Sequence, residues 1–378
     1  PLVGTTPISL ARALDRSIPF QDNLDAQVLF VARVPRVIAG AIVGCLLAGF
    51  HLLRLYDLAV SLGVAVALGA AAGLFGLLLA RHTPYAPKAA EPGEAAPRVR
   101  SGAAHVVIAV SGLCALGAQV VWTRILALLL GATVYTFSII LGVFLFGLGI
   151  GSSVGSMVAR SSTQPRRDLG MCQLLLAAAI AWSAWMVSRS LPYWPVNFAL
   201  SRDPWITFQL DLARCTWALL PPTLLWGASF PLALAAAAPR GADPGRVVAG
   251  VYAANTIGAI AGALAFTFLI PVIGTQAEQQ LMVVLSGAAG LLLLVPHVMR
   301  SWSGARSLLR TAALAFGVLI AGLALWSVPP VPAALVALGR FVVFRLISEG
   351  VPKDVRKDPN ILFMGEGLTE SVAVSEKD

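Results

Sequence analysis

The stretch SGLCALGAQVVWTRILALLLGATVYTFSIILGVFLFGLGIGS, residues 111–152, carries a single charged side chain, Arg124. A helix rises 1.5 Å per residue, so about 20 apolar residues cross a hydrocarbon core ~30 Å thick. This run holds two such lengths, joined near Gly131, and neither alternates with the two-residue period of a half-buried strand. The pattern is that of helices in a bilayer.

The rest of the chain repeats it. Apolar helices are expected at 37–53, 58–80, 105–130, 134–158, 169–188, 211–238, 247–270, 279–298 and 308–328, about nine in all. The predicted fold is therefore an all-α, polytopic integral membrane helix bundle. Hydrophobic residues make up 58% and charged residues 12% of the chain, against roughly 25% charged in a soluble domain, so a water-soluble globule is excluded. The net charge of +9 does not indicate nucleic acid, because the basic residues stand singly in loops with no basic stripe.

Five regions follow. Residues 1–36 are a polar N-terminal segment; 37–80 hold two helices; 81–103 form a loop with Pro84, Pro87, Pro92 and Pro97. Residues 104–328 hold about seven helices. In 329–378 the charges are mixed, and ILFM at 361–364 and SVAV at 371–374 flank a Gly365-Glu366-Gly367 turn, which predicts a short β-hairpin-like tail opening a soluble domain. The chain starts at Pro1 and stops inside this strand pair, so it is expected to be a piece cut at both ends.

Counting Lys and Arg in alternate loops collects about 16 on one side of the helices and about five on the other, which makes the first side cytoplasmic. With nine spans the tail emerges opposite. LLRLYD at 52–57 with GLFGLL at 73–78 resembles LIPVIG at 269–274 with GLLLLV at 290–295, so 37–80 reads as the end of a first repeat and 104–328 as a second.

Glycine is the densest local signal. Gly147, Gly151 and Gly155 fall on one face at spacing four within an apolar helix, which predicts close helix packing rather than a phosphate loop. Gly40 with Gly44, Gly69 with Gly73, and Gly258 with Gly262 repeat the spacing.

Polar groups at membrane depth are the functional candidates, because each costs at least ~2.5 kcal/mol unless partnered. They are Gln119, Arg124, Asp211, Arg214 and Asn255. Asp211 and Arg214 are three apart and can form a structural ion pair or line a ligand path. Arg124 beside Trp122 reads as an interfacial anchor or as a site. Asp57 and Glu278 are placed near span ends, close to water. Pro221, Pro222 and Pro231 either kink a helix or break it to line a cavity. No nucleophile with a base, no metal site and no cofactor motif is present; Cys45, Cys114, Cys172 and Cys215 read as packing residues.

Residues 111–152, PPTLLWGASFPLA at 221–233 and VYAANTIGAIAGAL at 251–264 resemble the membrane region of bacterial spermidine-synthase-like proteins. In that family transporter-like helical repeats precede an aminopropyltransferase domain, and ILFMGEGLTESVAVSEKD at 361–378 looks like that domain's opening hairpin. The resemblance implies a multi-pass protein of the inner (plasma) membrane that anchors a catalytic domain and passes or senses a polyamine or other cationic small molecule. The donor-binding loop would lie beyond Asp378, so no catalytic residue carries over. Where the family often has Glu, before VVWTR, this chain has Gln119. The opening ~48 residues, VGTTPISLARAL and then DNLDAQVLFVARVPRVIAGAIVGCLLAG, resemble instead the N-terminus of an iron-siderophore or cobalamin ABC transporter permease, which implies a fusion near 44–50. A transporter or transport-derived scaffold, and less readily a permease fragment, are the competing readings.

Overall fold

The computed structural model describes residues 56, 58–82, 102–194, 203–238, 244–299, 317–319, 321–339, 361–368 and 370–375. They belong to two compact units divided between Gly93 and Glu94. In the first, α1 (Leu58–His82) is apolar around its whole circumference, with Leu62, Val66, Leu68, Phe75 and Leu77 exposed. A helix of that kind has no polar face to turn to water. Its Gly69 and Gly73 meet nothing within 4 Å. Asp57, Gly40, Gly44, Cys45, the expected 37–53 span and the permease-like opening lie outside the described residues.

The second unit runs α2 (Gly102–Leu130), α3 (Val134–Ser161), α4 (Pro165–Trp185), α5 (Pro204–Ala237), α6 (Pro244–Met299), α7 (Ala333–Leu338), β1 (Ile361–Glu366) and β2 (Ser371–Ser375). Helix boundaries follow local chemistry. Gly131, at φ 97°, ends α2 in a conformation other residues avoid. Thr133 then caps α3, its hydroxyl accepting from the Thr136 N–H at 3.2 Å. Asp203 caps α5 by accepting from the Trp205 N–H at 2.8 Å, with Pro204 in the first turn where its missing N–H costs nothing.

Among the described residues five helices are long and apolar enough to cross a membrane: Gly102–Leu130, Val134–Ser161, Pro165–Tyr193, Trp205–Ala237 and Gly245–Pro296. This differs from nine expected spans for particular reasons. The 308–328 span is described only at 317–319 and 321–328, and is helical at 317–319 and 321–327. The spans at 247–270 and 279–298 are joined without an intervening loop into the 56 residues of α6, whose helical geometry fails only at Gly274 (φ 76°, ψ 161°).

At Gly274 α6 turns back on itself. Its first half, 244–273, lies parallel to α2: Gly258 is over Ala109, Gly262 over Leu113 and Phe266 over Gly117. Its second half, 275–299, runs the other way, with Gln279 at Trp122, Met282 at Cys114 and Gly290 at Gly170 of α4. A residue with positive φ reverses the chain here because no Cβ opposes it.

Two interfaces are backbone to backbone. A Cβ on Gly147, Gly151 or Gly155 of α3 would strike Thr223, the Leu224 carbonyl and Ala228 of α5, and Gly227 of α5 is pressed to the Leu148 carbonyl in return. Gly258 and Gly262 meet α2 in the same way. Without a hydrophobic drive between helices in lipid, such close approach supplies the packing energy.

The prolines do not break α5, which stays helical for 34 residues. Pro221 and Pro222 remove the N–H groups that the carbonyls of Trp217 and Ala218 would accept. α4 answers both: Trp182 Nε1 donates to the Trp217 carbonyl at 3.2 Å and Ser183 Oγ to the Ala218 carbonyl at 2.6 Å. Both freed carbonyls are thus paired across the contact. Ile257, Leu264, Phe268 and Val272 of α6 and Phe146 and Met157 of α3 remain exposed, apolar surface suited to lipid.

The tail forms an antiparallel pair with Phe363 opposite Val374, Gly365 opposite Val372 and Glu366 opposite Ser371. The Gly367 N–H closes the turn on the Glu370 carbonyl at 2.8 Å.

Candidate functional site

Reversal at Gly274 exposes the N-terminus of the second half of α6, where the first backbone N–H groups have no helical acceptor and the local field favours an anion. Glu366 of β1 fills that position. Its carboxylate accepts from the Thr275 N–H at 2.6 Å and from Thr275 Oγ1 at 2.8 Å. A Cβ on residue 274 would stand 3.3 Å from the same carboxylate, so glycine serves both the turn and the approach of Glu366.

Arg124 holds the other side of the hairpin. Its guanidinium donates to the carbonyls of Leu368 at 3.2 Å and Glu370 at 2.8 Å and to Ser371 Oγ at 3.1 Å. The arginine near the end of α2 thus binds the turn of the tail, which neither reading of the sequence foresaw.

Below the hairpin lies a buried polar seam. Trp122 Nε1 donates to Gln279 Oε1 at 3.1 Å, and Gln279 Nε2 donates to the Thr275 carbonyl at 3.2 Å. One turn further along, the Cys114 thiol faces the Met282 carbonyl at 3.9 Å. Then Ser111 Oγ lies 3.1 Å from Ser229 Oγ and 3.4 Å from Gln173 Nε2, which donates to it. Aromatic rings flank the upper part: Trp226 lies 5.8 Å from Trp122 and 5.7 Å from Phe144, centroid to centroid.

Glu278 sits on this seam, fully buried rather than near water at a span end as its sequence position suggested. The cause is tertiary: the turn at Gly274 and the docked hairpin cover what is locally a helix end. Neither carboxylate oxygen has a hydrogen-bond partner among the described residues, and the same is true of Gln173 Oε1 and Trp226 Nε1. The charges acting on Glu278 are the like charge of Glu366 and the opposite charge of Arg124. Two acids face one base, so the cluster carries one uncompensated negative charge when both acids are ionised.

The residues singled out by sequence are dispersed. Only Arg124 belongs to this cluster. Asp211 and Arg214 are buried and form an ion pair at 3.4 Å along α5. Asn255, half-buried, lies over Gly112 at the contact of α2 with the first half of α6. Gln119 is half-buried on α2. Cys114, Cys172 and Cys215 are buried and free. Thr275, Glu278, Gln279, Glu366 and Gln173 carry the site instead. One signal for it stood in GTQAEQQ at 274–280, a glycine followed by a polar cluster between two apolar runs.

No family model, curated protein or solved structure matches the chain.

Proposed function

We propose that this chain is the multi-pass, inner-membrane module of a spermidine-synthase-like protein, which anchors an aminopropyltransferase-type domain and hands a cationic molecule to or from it. The observation that carries the reading is the fastening of the tail. Glu366 and Arg124 tie the hairpin to the end of the helical bundle, and this hairpin is the element that resembles the start of that domain. In this reading the module itself performs no group transfer; its residues position the attached domain and supply the seam.

The hairpin lies at the end of the bundle opposite Arg160, Arg166, Arg167 and Arg246, with Trp185, Tyr193 and Trp205 exposed around its own end. The excess of basic residues at the far end supports placing the hairpin away from the cytoplasm. Alkaline phosphatase fused after Ser375 should be active, and a green fluorescent protein fused at the same point dark. The reverse pattern would refute the orientation.

A transporter is the second reading, and Gly274 favours it. Discontinuous helices whose half-helix termini meet polar groups are how many transporters build their sites. Vesicles containing the chain should then take up an organic cation, with Glu278→Gln reducing the flux; equal flux in protein-free vesicles would remove this reading.

A further inference from the structure

We infer that the second half of α6 has two mutually exclusive caps, Glu366 when the hairpin is docked and its own Glu278 when the hairpin is released, so that the tail is a reversible strap. The inference deepens the anchoring reading, from which it takes only the fastening of the hairpin.

The second cap stands in the sequence. Thr275-Gln276-Ala277-Glu278 has the spacing of a capping box, Thr-x-x-Glu, just before the apolar run that begins at Leu281. In such a box the threonine hydroxyl accepts from the backbone N–H of the acid three residues on, and the acid's carboxylate reaches back to the threonine N–H. Both Thr275 groups are committed to Glu366 instead. The N–H donates to Oε2 at 2.6 Å and the hydroxyl to Oε1 at 2.8 Å. One donor cannot serve both carboxylates, so docking of the hairpin and closure of the box compete. The backbone differs between the two states as well. Helical geometry fails only at Gly274 and so already holds at Thr275, whereas the threonine of a capping box is extended. Release of the hairpin therefore shortens the helix by its first residue.

The displaced partner is also on view. Glu278 is fully buried, and neither oxygen of its carboxylate has a hydrogen-bond partner among the described residues. Native interiors leave few such groups, and a local acceptor pushed off its donor accounts for this one. Docking further sets the like charge of Glu366 against Glu278, with Arg124 as the opposing charge. Release removes that repulsion and gives the Glu278 carboxylate a donor. The docked state is thus held by Arg124 and Glu366 against a competitor built into α6.

The test is hydrogen exchange at single-residue resolution on the full chain in nanodiscs. A two-stranded hairpin is marginal by itself, so release appears as lost protection across 361–375. Glu366→Ala should speed those amides while the Thr275 amide stays protected, because Glu278 takes it over. Combining Glu366→Ala with Glu278→Leu should speed the Thr275 amide about 5-fold beyond the single variant, the ratio that corresponds to loss of an ordinary cap. Glu278→Leu alone should slow the hairpin amides by about the same factor, since the released state has then lost its cap. A Thr275 amide equally fast in Glu366→Ala and in the double variant would overturn the proposal, and so would hairpin amides at the wild-type rate in Glu278→Leu. Should Glu278→Leu fail to insert, Glu366→Ala decides by itself: a Thr275 amide sped as much as those of 361–375 overturns the exchange of caps. The reporter fusions after Ser375 read only the side of the membrane, so the expected fusion pattern with an unprotected Thr275 in Glu366→Ala refutes the exchange of caps alone.

Discussion

The contact of α3 with α5 and the contact of α2 with the second half of α6 are both buried helix pairs, yet they are built oppositely. In the first, glycines at spacing four let backbone touch backbone, and the prolines' freed carbonyls are answered by α4. In the second, Trp122, Met282, Ser286 and Glu278 stand between the helices, and the Glu278 carboxylate has no hydrogen-bond partner among the described residues. A membrane bundle can be held by dry close packing in one place because that packing offsets the cost of unmatched polar groups in another. The stable contact is the scaffold, and the costly contact is the place to look for function.

The largest effect that separates the two should come from Gly151→Leu. Its side chain has no space against the Leu224 carbonyl, so the bundle should lose about 3 kcal/mol or more, read as a fall in the detergent-unfolding midpoint. A neutral result would mean that α3 and α5 do not touch through their backbones.

Glu278→Leu should move stability the other way. Removing a buried carboxylate that has no hydrogen-bond partner among the described residues should raise the unfolding free energy by ~2 kcal/mol. A destabilised variant would show that Glu278 has a structural partner and that the two interfaces are alike.

Arg124→Gln should act locally. Loss of a charged donor to two carbonyls and a hydroxyl should release the hairpin at a cost of about 1–3 kcal/mol, seen as faster hydrogen exchange across 361–375 with α3 and α5 unchanged. Uniformly faster exchange would mean that the hairpin and bundle unfold together.

The smallest effect belongs to Ser183→Ala, which strips one donor from the Ala218 carbonyl and should cost ~1 kcal/mol by thermal unfolding. No change would show that Pro222 is tolerated without help from α4.

Much of the scaffold was legible in the sequence because hydropathy and glycine spacing are local properties. A run of 20 apolar residues must be helical in lipid wherever it sits, since its backbone has no other partners there. Gly147, Gly151 and Gly155 share a face by the period of the helix alone. The site was far less legible. Gln173, Ser111, Ser229 and Glu278 come from four different elements, and nothing near any of them announces the others. The tail was readable as two strands, but not that Glu366 would reach Thr275 across 91 residues of chain. The prolines of α5 read as a kink or a break, whereas α5 stays helical and the break falls at Gly274, because α4 supplies donors to α5 and Glu366 caps the new helix end of α6.

The amino-acid sequence by itself determined that this protein is helical, apolar enough to cross a membrane and able to pack closely along the faces of Gly147, Gly151 and Gly155 and of Gly258 and Gly262, because those properties depend only on neighbours along one helix. The tertiary structure alone decided that α6 folds back, that Arg124 grips the hairpin and that Glu278 is sealed from water. Burial and pairing of a polar group depend on which distant segments arrive beside it, and no local pattern encodes that arrival.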